Sequence, residues 1–487
     1  MAIASQDNIT SNAVTTVSAD TDADAAVQPE SVEDRQPAVI PQWSDRSASN
    51  HVGSTLFKGK LSSASLEQLL GAGETLFNTR FTSQQGLGRP LATQAIIPTK
   101  RKRPARNTFS RTAGIDASSC AGCHNEPVIG GAGDFTANVF VSEGFQHTDF
   151  DTTDPQFSNE RNTNHLFGAG LVELLAREMT NELHTIRRRT LDKAADSKQA
   201  LRIELLTKGV SFGTLTVQPD GQVDTREVEG VDSDLVIRPF SQKGVMTSLR
   251  QFTINALNQH HGMQANERFG ARWTGETDHD EDGVIQEISI ADVSALVAWQ
   301  ATLPPPSTET NLPDDWQLAA ARGSDTFDEI ACNRCHRRSL PLDSMVFGDP
   351  GPYDAAGTLR QNEAPELQYD LALLAWAKSL PRDADGRILV PLFGDLKRHE
   401  IADNRVSTLG NELLSQRFVE RNVFMTTELW GIASTAPYGH RGDLSTLSEV
   451  IAGHGGAARA SRESWLALQA SAQDDVIAYL KSLVISP

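Results

Sequence analysis

The sequence predicts a mainly α-helical protein built as two similar halves, the first enlarged by irregular and β-rich insertions. Three observations carry this expectation: the length of 487 residues, a five-residue cysteine motif that occurs twice, and a pair of helices framing each copy. The length exceeds what one hydrophobic core serves, so two or three domains are expected. Hydrophobic residues make up 39% and charged residues 22%, ordinary for a globular chain. Aromatic content of 6% and a mean hydropathy of -0.35 argue against a membrane protein, and no run of about eighteen apolar residues occurs. With 44 basic and 63 acidic residues the net charge is -19. Such a field repels phosphate, so nucleic acid and anionic lipid are poor general partners.

All four cysteines fall in two clusters, Cys120-Ala121-Gly122-Cys123-His124 and Cys332-Asn333-Arg334-Cys335-His336. Each reads C-x-x-C-H, the attachment motif of c-type haem. Two thiols add across the two vinyl groups of a porphyrin, and the adjacent histidine becomes the proximal ligand of the iron. A disulfide would not need the histidine twice. A thioredoxin-like pair would want a βαβ setting, which surrounds neither copy. A four-cysteine zinc site would draw its two halves from more than two hundred residues apart. Two covalently bound haem c groups are therefore the expected cofactors. Haem c is attached outside the bacterial cytoplasm, so a periplasmic or otherwise exported location is expected, although no signal peptide is visible in Met1 to Val14.

Along the chain, residues 1–50 are rich in Ala, Ser, Thr, Asp and Val without periodicity, and read as a disordered acidic leader. Residues 51–304 form the expected first domain. It opens with Gly73-Glu74-Thr75-Leu76-Phe77 and closes with the helix Leu296 to Leu303. Residues 305–312 follow as a Pro-rich linker. The second domain, 313–487, repeats the plan with Gly323-Ser324-Asp325-Thr326-Phe327 and the closing helix Val476 to Leu483. Each half thus reads as a cytochrome c-like haem domain. In the first, forty-two residues separate Phe77 from Cys120, among them Lys100-Arg101-Lys102-Arg103. In so acidic a chain that run reads as a solvated loop, or as a docking spot for an acidic partner or for haem propionates. Thr214 to Val217 and Leu235 to Ile237 have the β-branched content of strands.

Further motifs resemble a known family. Ala436-Pro437-Tyr438-Gly439-His440-Arg441-Gly442 followed by Thr446-Leu447-Ser448-Glu449-Val450-Ile451 is similar to a segment of the bacterial dihaem cytochrome c peroxidases. Ser119 to Val141, and His454-Gly455-Gly456-Ala457 with Ser461-Arg462, resemble more closely the dihaem oxidoreductase family of putative peroxidases, also called thiol-oxidoreductase-like. The likeness runs from about residue 65 to the C-terminus. One departure is Arg441, where the family carries Asp. The resemblance implies that peroxide binds at the N-terminal haem while the C-terminal haem takes electrons from a donor. It also implies a sixth iron ligand fourteen residues after His440, which is His454. The second iron would then be held by His336 and His454, and the first by His124 with an open position.

The resemblance further implies a distal carboxylate, for which Glu173 is the candidate; its plainer role is a helix glutamate paired with Arg177 four residues on. His260, His261 and His399 are candidate haem neighbours, or ordinary core histidines. Asp278, Asp280 and Asp282, with Gly283 and Glu287, form a D-x-D-x-D-G loop suited to calcium. The glutamate stands at position ten rather than twelve, so the loop departs from an EF-hand, and a polar surface turn is the alternative. Trp273, Trp299 and Trp430 are candidates for a place between the haems, or for the core. The expected function is a dihaem oxidoreductase that reduces peroxide at haem 1 with electrons entering through haem 2. Its expected partners are peroxide or O2 and a small donor protein such as a cytochrome or cupredoxin. The alternatives are a dihaem dioxygenase of the rubber-cleaving type and a plain electron-transfer cytochrome.

Overall fold

The computed structural model describes residues 51–53, 59–88, 110–111, 117–133, 137–138, 140–141, 160–354, 359, 366–412 and 418–485. The acidic leader, the Met1 to Val14 stretch and the basic run Lys100 to Arg103 lie outside the described residues. Ser49–Pro487 form one compact unit.

The framing helices are present in both halves. Ser63–Asn78 starts where the Ser62 hydroxyl accepts from Ser65 N, and it crosses Ile290–Thr302, which opens on a capping box of Ser289 and Asp292. At the crossing, a Cβ on Gly73 would stand 2.1 Å from the carbonyl oxygen of Ala295. In the second half Asp314–Glu329 crosses Ala470–Leu480, and a Cβ on Gly323 would stand 1.9 Å from the carbonyl oxygen of Asp475. Only glycine permits either approach. Four residues after each glycine, Phe77 and Phe327 are both 2% exposed and both reach the same cavity.

Helix Ala169–Ser197 buries Leu171, Leu175, Met179 and Leu183, a four-residue spacing that keeps one face against the core. Each such side chain contributes about 1.5–3 kcal/mol of burial. A hairpin follows, Leu201–Thr207 against Val210–Val217. Lys208 and Gly209 at its tip both have positive φ, the two-residue turn that matches strand twist.

The expectation of a mainly α protein made of two cytochrome c-like haem domains is corrected here. Among the described residues about 41% are helical and 15% lie in strands. The strands among the described residues form seven small sheets, several of them drawing on distant parts of the chain. Gly59–Lys60 pairs in parallel with Leu367–Gln368, and Ser307–Thr308, inside the Pro-rich segment, pairs with Leu483–Val484. Strands of two to four residues show no alternation long enough to read from sequence. Leu235 to Ile237, expected as strand-like, is irregular, with Leu235 at φ 61°.

Candidate functional site

Both C-x-x-C-H motifs open onto one cavity of about 1030 Å³. Single-ligand sites typically span about 300–1,000 Å³, so this one stands at the upper end of that range. Each motif folds as the same tight turn. Cys120–Gly122 and Cys332–Arg334 are single 3₁₀ turns in which the backbone N–H of the histidine donates to the first cysteine's carbonyl at 3.0 Å. That turn places both thiols and the histidine on one side of the chain. All four cysteines are half-buried. Burial, and then the partner thiol, push Cys120 up to about 12 and Cys332 up to about 11, so these sulfurs stay protonated. Among the described residues the four cysteines do not gather, which removes the shared zinc site.

The histidines are prepared as iron ligands by what holds their other nitrogen. His124 Nδ1 lies 3.2 Å from Gly131 O, His336 Nδ1 3.3 Å from Phe393 O, and His454 Nδ1 2.7 Å from Val450 O. A carbonyl only accepts, so each Nδ1 carries the hydrogen and each Nε2 keeps a lone pair for the cavity. Burial holds His124 and His336 down to about 4 and lowers His454 as well, leaving the imidazoles neutral. The structure therefore brings His454 to the His336 side, where the two rings interact electrostatically.

A fourth histidine is built the same way. His261 closes the single π-helical turn Leu257–His261, ahead of Gly262 at φ 71°. Its Nδ1 lies 2.6 Å from Ala117 O and its Nε2 3.5 Å from Cys120 Sγ. Both members of the His260-His261 pair line the cavity, and His261 is the one whose Nε2 lies near Cys120 Sγ. His165, which the sequence reading missed, also lines the cavity, but its Nε2 is turned to Trp430 O at 3.1 Å. His399 differs again. Burial opposes its charge, but hydrogen bonds to Asp395 and Cys335 carry it up to about 9, and a protonated imidazole has no lone pair for iron.

Glu173 is not among the residues lining the cavity. It is 1% exposed, pairs with Arg177, and accepts from Leu249 N at 2.8 Å at the start of helix Leu249–Ala256. Burial raises it to about 7 against the pull of Arg177. The i, i+4 pairing readable in the sequence is present. Glu428 does line the cavity, and burial raises it to about 7. In the acidic loop, carboxylate oxygens of Asp278, Asp280 and Asp282 lie within 4.8 Å of one another. Glu287 accepts instead from Gln264 N at 2.7 Å. Of the three tryptophans, Trp430 lines the cavity and is 3% exposed, Trp299 packs on Phe77 at 4.3 Å, and Trp273 is half-buried.

These residues fit two covalent porphyrins. They offer two thiol pairs, neutral histidine nitrogens, apolar walls from Phe77, Val172, Leu249 and Leu480, and buried cations for acidic substituents. No helix among the described residues is long and apolar enough to cross a membrane. No family model matches the chain, and no curated protein matches it either. Among solved structures it is similar to Kuenenia stuttgartiensis hydrazine synthase pressurised with xenon, at 14% identity and a TM-score of 0.39, over 92% of this chain and 100% of that one. It is also similar to a MauG-like protein associated with microbial copper homeostasis, at 17% identity and a TM-score of 0.28, over 56% of this chain and 79% of that one. At such scores neither likeness bears on function, which rests on the residues above.

Proposed function

We propose that the protein is a dihaem c-type oxidoreductase, acting outside the cytoplasm, that reduces peroxide on the Cys120 side with electrons received on the Cys332 side. The observation that carries this reading is the single cavity that receives both attachment motifs. Haem held by these motifs supplies redox-active iron. His336 and His454 both line the cavity and each keeps an Nε2 lone pair, so the two would hold the haem iron on the Cys332 side. On the other side His124 offers a lone pair, and His261 Nε2 stands 3.5 Å from Cys120 Sγ. We assign His261 to move a proton at Nε2, because peroxide reduction to water consumes two electrons and two protons. Trp430, packed against Gly168 and accepting from His165 at its carbonyl, joins the segment after Met425 to the His124 side. A small cytochrome or cupredoxin is the proposed donor.

The test is the spin state of the as-isolated, doubly haem-loaded protein and its response to hydrogen peroxide. A high-spin or ligand-accepting fraction confined to one haem, with peroxide oxidising the pre-reduced protein, is expected. Two wholly low-spin haems inert to peroxide would make the protein an electron carrier.

A further inference from the structure

We infer that Asp395, His399 and Cys335 form a nucleophile triad with which the chain promotes its own second haem attachment, His399 relaying the hydrogen that moves when the Cys335 sulfur adds to a porphyrin vinyl group. The inference rests on the dihaem reading above and assigns what these side chains do within it.

The three side chains converge. One ring nitrogen of His399, one carboxylate oxygen of Asp395 and the sulfur of Cys335 lie within 4.8 Å of one another. His399 Nε2 stands 2.8 Å from Asp395 Oδ2, and the same ring is hydrogen-bonded to Cys335. Asp395 is 2% exposed, and its Oδ1 accepts from Lys397 N at 3.0 Å, so the carboxylate is fixed before it fixes the ring. A thiol, a histidine within reach of it and a carboxylate orienting that histidine are the parts of an activated nucleophile. Cys335 and His399 both line the cavity, and so border the space a porphyrin would fill.

The backbone is bent to make this arrangement. Phe393 and Leu396, neither of them glycine, lie at φ 54° and 52°, a left-handed conformation that side chains rarely adopt. The turn they frame sends the Phe393 carbonyl to His336 Nδ1 at 3.3 Å and the Asp395 carboxylate to His399. His399 itself is held in strand Arg398–Glu400, directly opposite Phe424 of Val423–Met425. One turn thus serves both the proximal histidine of the motif and the cysteine beside it.

The first motif is equipped differently. His261 Nε2 stands 3.5 Å from Cys120 Sγ, the first cysteine of its motif instead of the second, and His261 Nδ1 rests on a carbonyl, Ala117 O, at 2.6 Å. The triad therefore acts at one sulfur of the four, and the other three serve as controls.

The addition is redox-neutral. The Cys335 sulfur supplies the electron pair of the new C–S bond at the inner vinyl carbon, and the S–H bond breaks. The vinyl π pair becomes a C–H bond on the terminal carbon. His399 gives a ring hydrogen to that carbon and recovers one from Sγ, ending as it began. No oxidant or reductant is consumed.

The test begins with the full chain matured in cells. Fewer than two covalent haems per chain defeats the dihaem reading itself. With two present, the full chain is made without haem, kept reduced and mixed with ferrous protoporphyrin IX. Thioether formation is timed at each cysteine by alkylating the remaining thiols and weighing the peptides. The unaltered chain is expected to form the Cys335 bond. His399→Ala should slow that bond about 10²-fold while Cys120, Cys123 and Cys332 stay within a few fold, and added imidazole should restore part of the rate. Asp395→Asn, which keeps the shape, should slow Cys335 alone and by less. No attachment in the unaltered chain, an equal rate at Cys335 in His399→Ala, or a loss at all four sulfurs would overturn the inference. So would a slowing that imidazole does not relieve, or a zinc ion held by the trio with attachment unchanged.

Discussion

Replacing Glu173 separates a structural carboxylate from a catalytic one. In Glu173→Ala, Leu249 N loses its acceptor and Arg177 loses its partner while its side chain stays only 12% exposed. Breaking a buried ion pair from one side costs about 3–5 kcal/mol, and a hydrogen bond to a charged group about 1.5–3 kcal/mol. Asp354 lies close enough to attract Arg177 and takes up part of the loss, so about 4 kcal/mol is expected in total. Unfolding entropy of about 2.1 cal/mol/K per residue gives roughly 0.9 kcal/mol/K for a unit of about 440 residues, hence a fall in Tm of about 4 °C. Calorimetry on the haem-loaded protein measures it. Glu173→Gln keeps one of the two acceptor oxygens and should lose less, while turnover per folded molecule stays within a few fold in either variant. A loss of about 10²–10⁴ in turnover by Glu173→Gln at unchanged Tm is the signature of acid–base catalysis and would refute this reasoning.

Three other outcomes are expected. His454→Ala should convert one haem of the two to high-spin without releasing it, read by absorption and electron paramagnetic resonance; an unaltered low-spin spectrum would place the sixth ligand elsewhere. If the Asp278 loop holds a hard cation, strong chelator should lower the melting temperature, because a cation bound only by the native state stabilises it by mass action. An unchanged melt with no calcium by elemental analysis removes the ion. The hydrogen bond to Asp292 raises His51, outweighing burial, so its folded value lies above the unfolded 6.5. Its contribution is therefore complete below about pH 6.5 and fades as pH rises through the folded value. His51→Asn should lower Tm at pH 5.5 and leave it unchanged well above that value; an equal loss at both would refute the linkage.

What could be read from the sequence was local. C-x-x-C-H fixes its own geometry through one 3₁₀ turn, so the likeness of the two turns was legible. The Gly-to-Phe spacing exposed the framing helices because Gly73 and Gly323 answer the same steric demand. His454 came from a count after His440, and the backbone then turned its Nδ1 onto a carbonyl only four residues away. The clustering of Arg161, Lys243, Glu412 and His440 on the cavity lining was not legible. Its members are spread over some 280 positions and share no spacing rule; only tertiary packing assembles them. The fold class failed for a related reason. A two-residue strand such as Gly59–Lys60 has no pattern of its own and exists only because Leu367–Gln368 lies beside it.

That pairing sets the order in which the molecule can be made. The ribosome has to add about 300 further residues before Leu367 exists, an interval of roughly 15–60 s at about 5–20 residues per second. Throughout it, Gly59–Lys60 has no partner strand. The first half consequently cannot reach its final form before Leu367–Gln368 has been made, and a break in the Pro-rich segment would leave both fragments with unpaired strands. Contacts this distant in sequence make loop closure costly and folding slow.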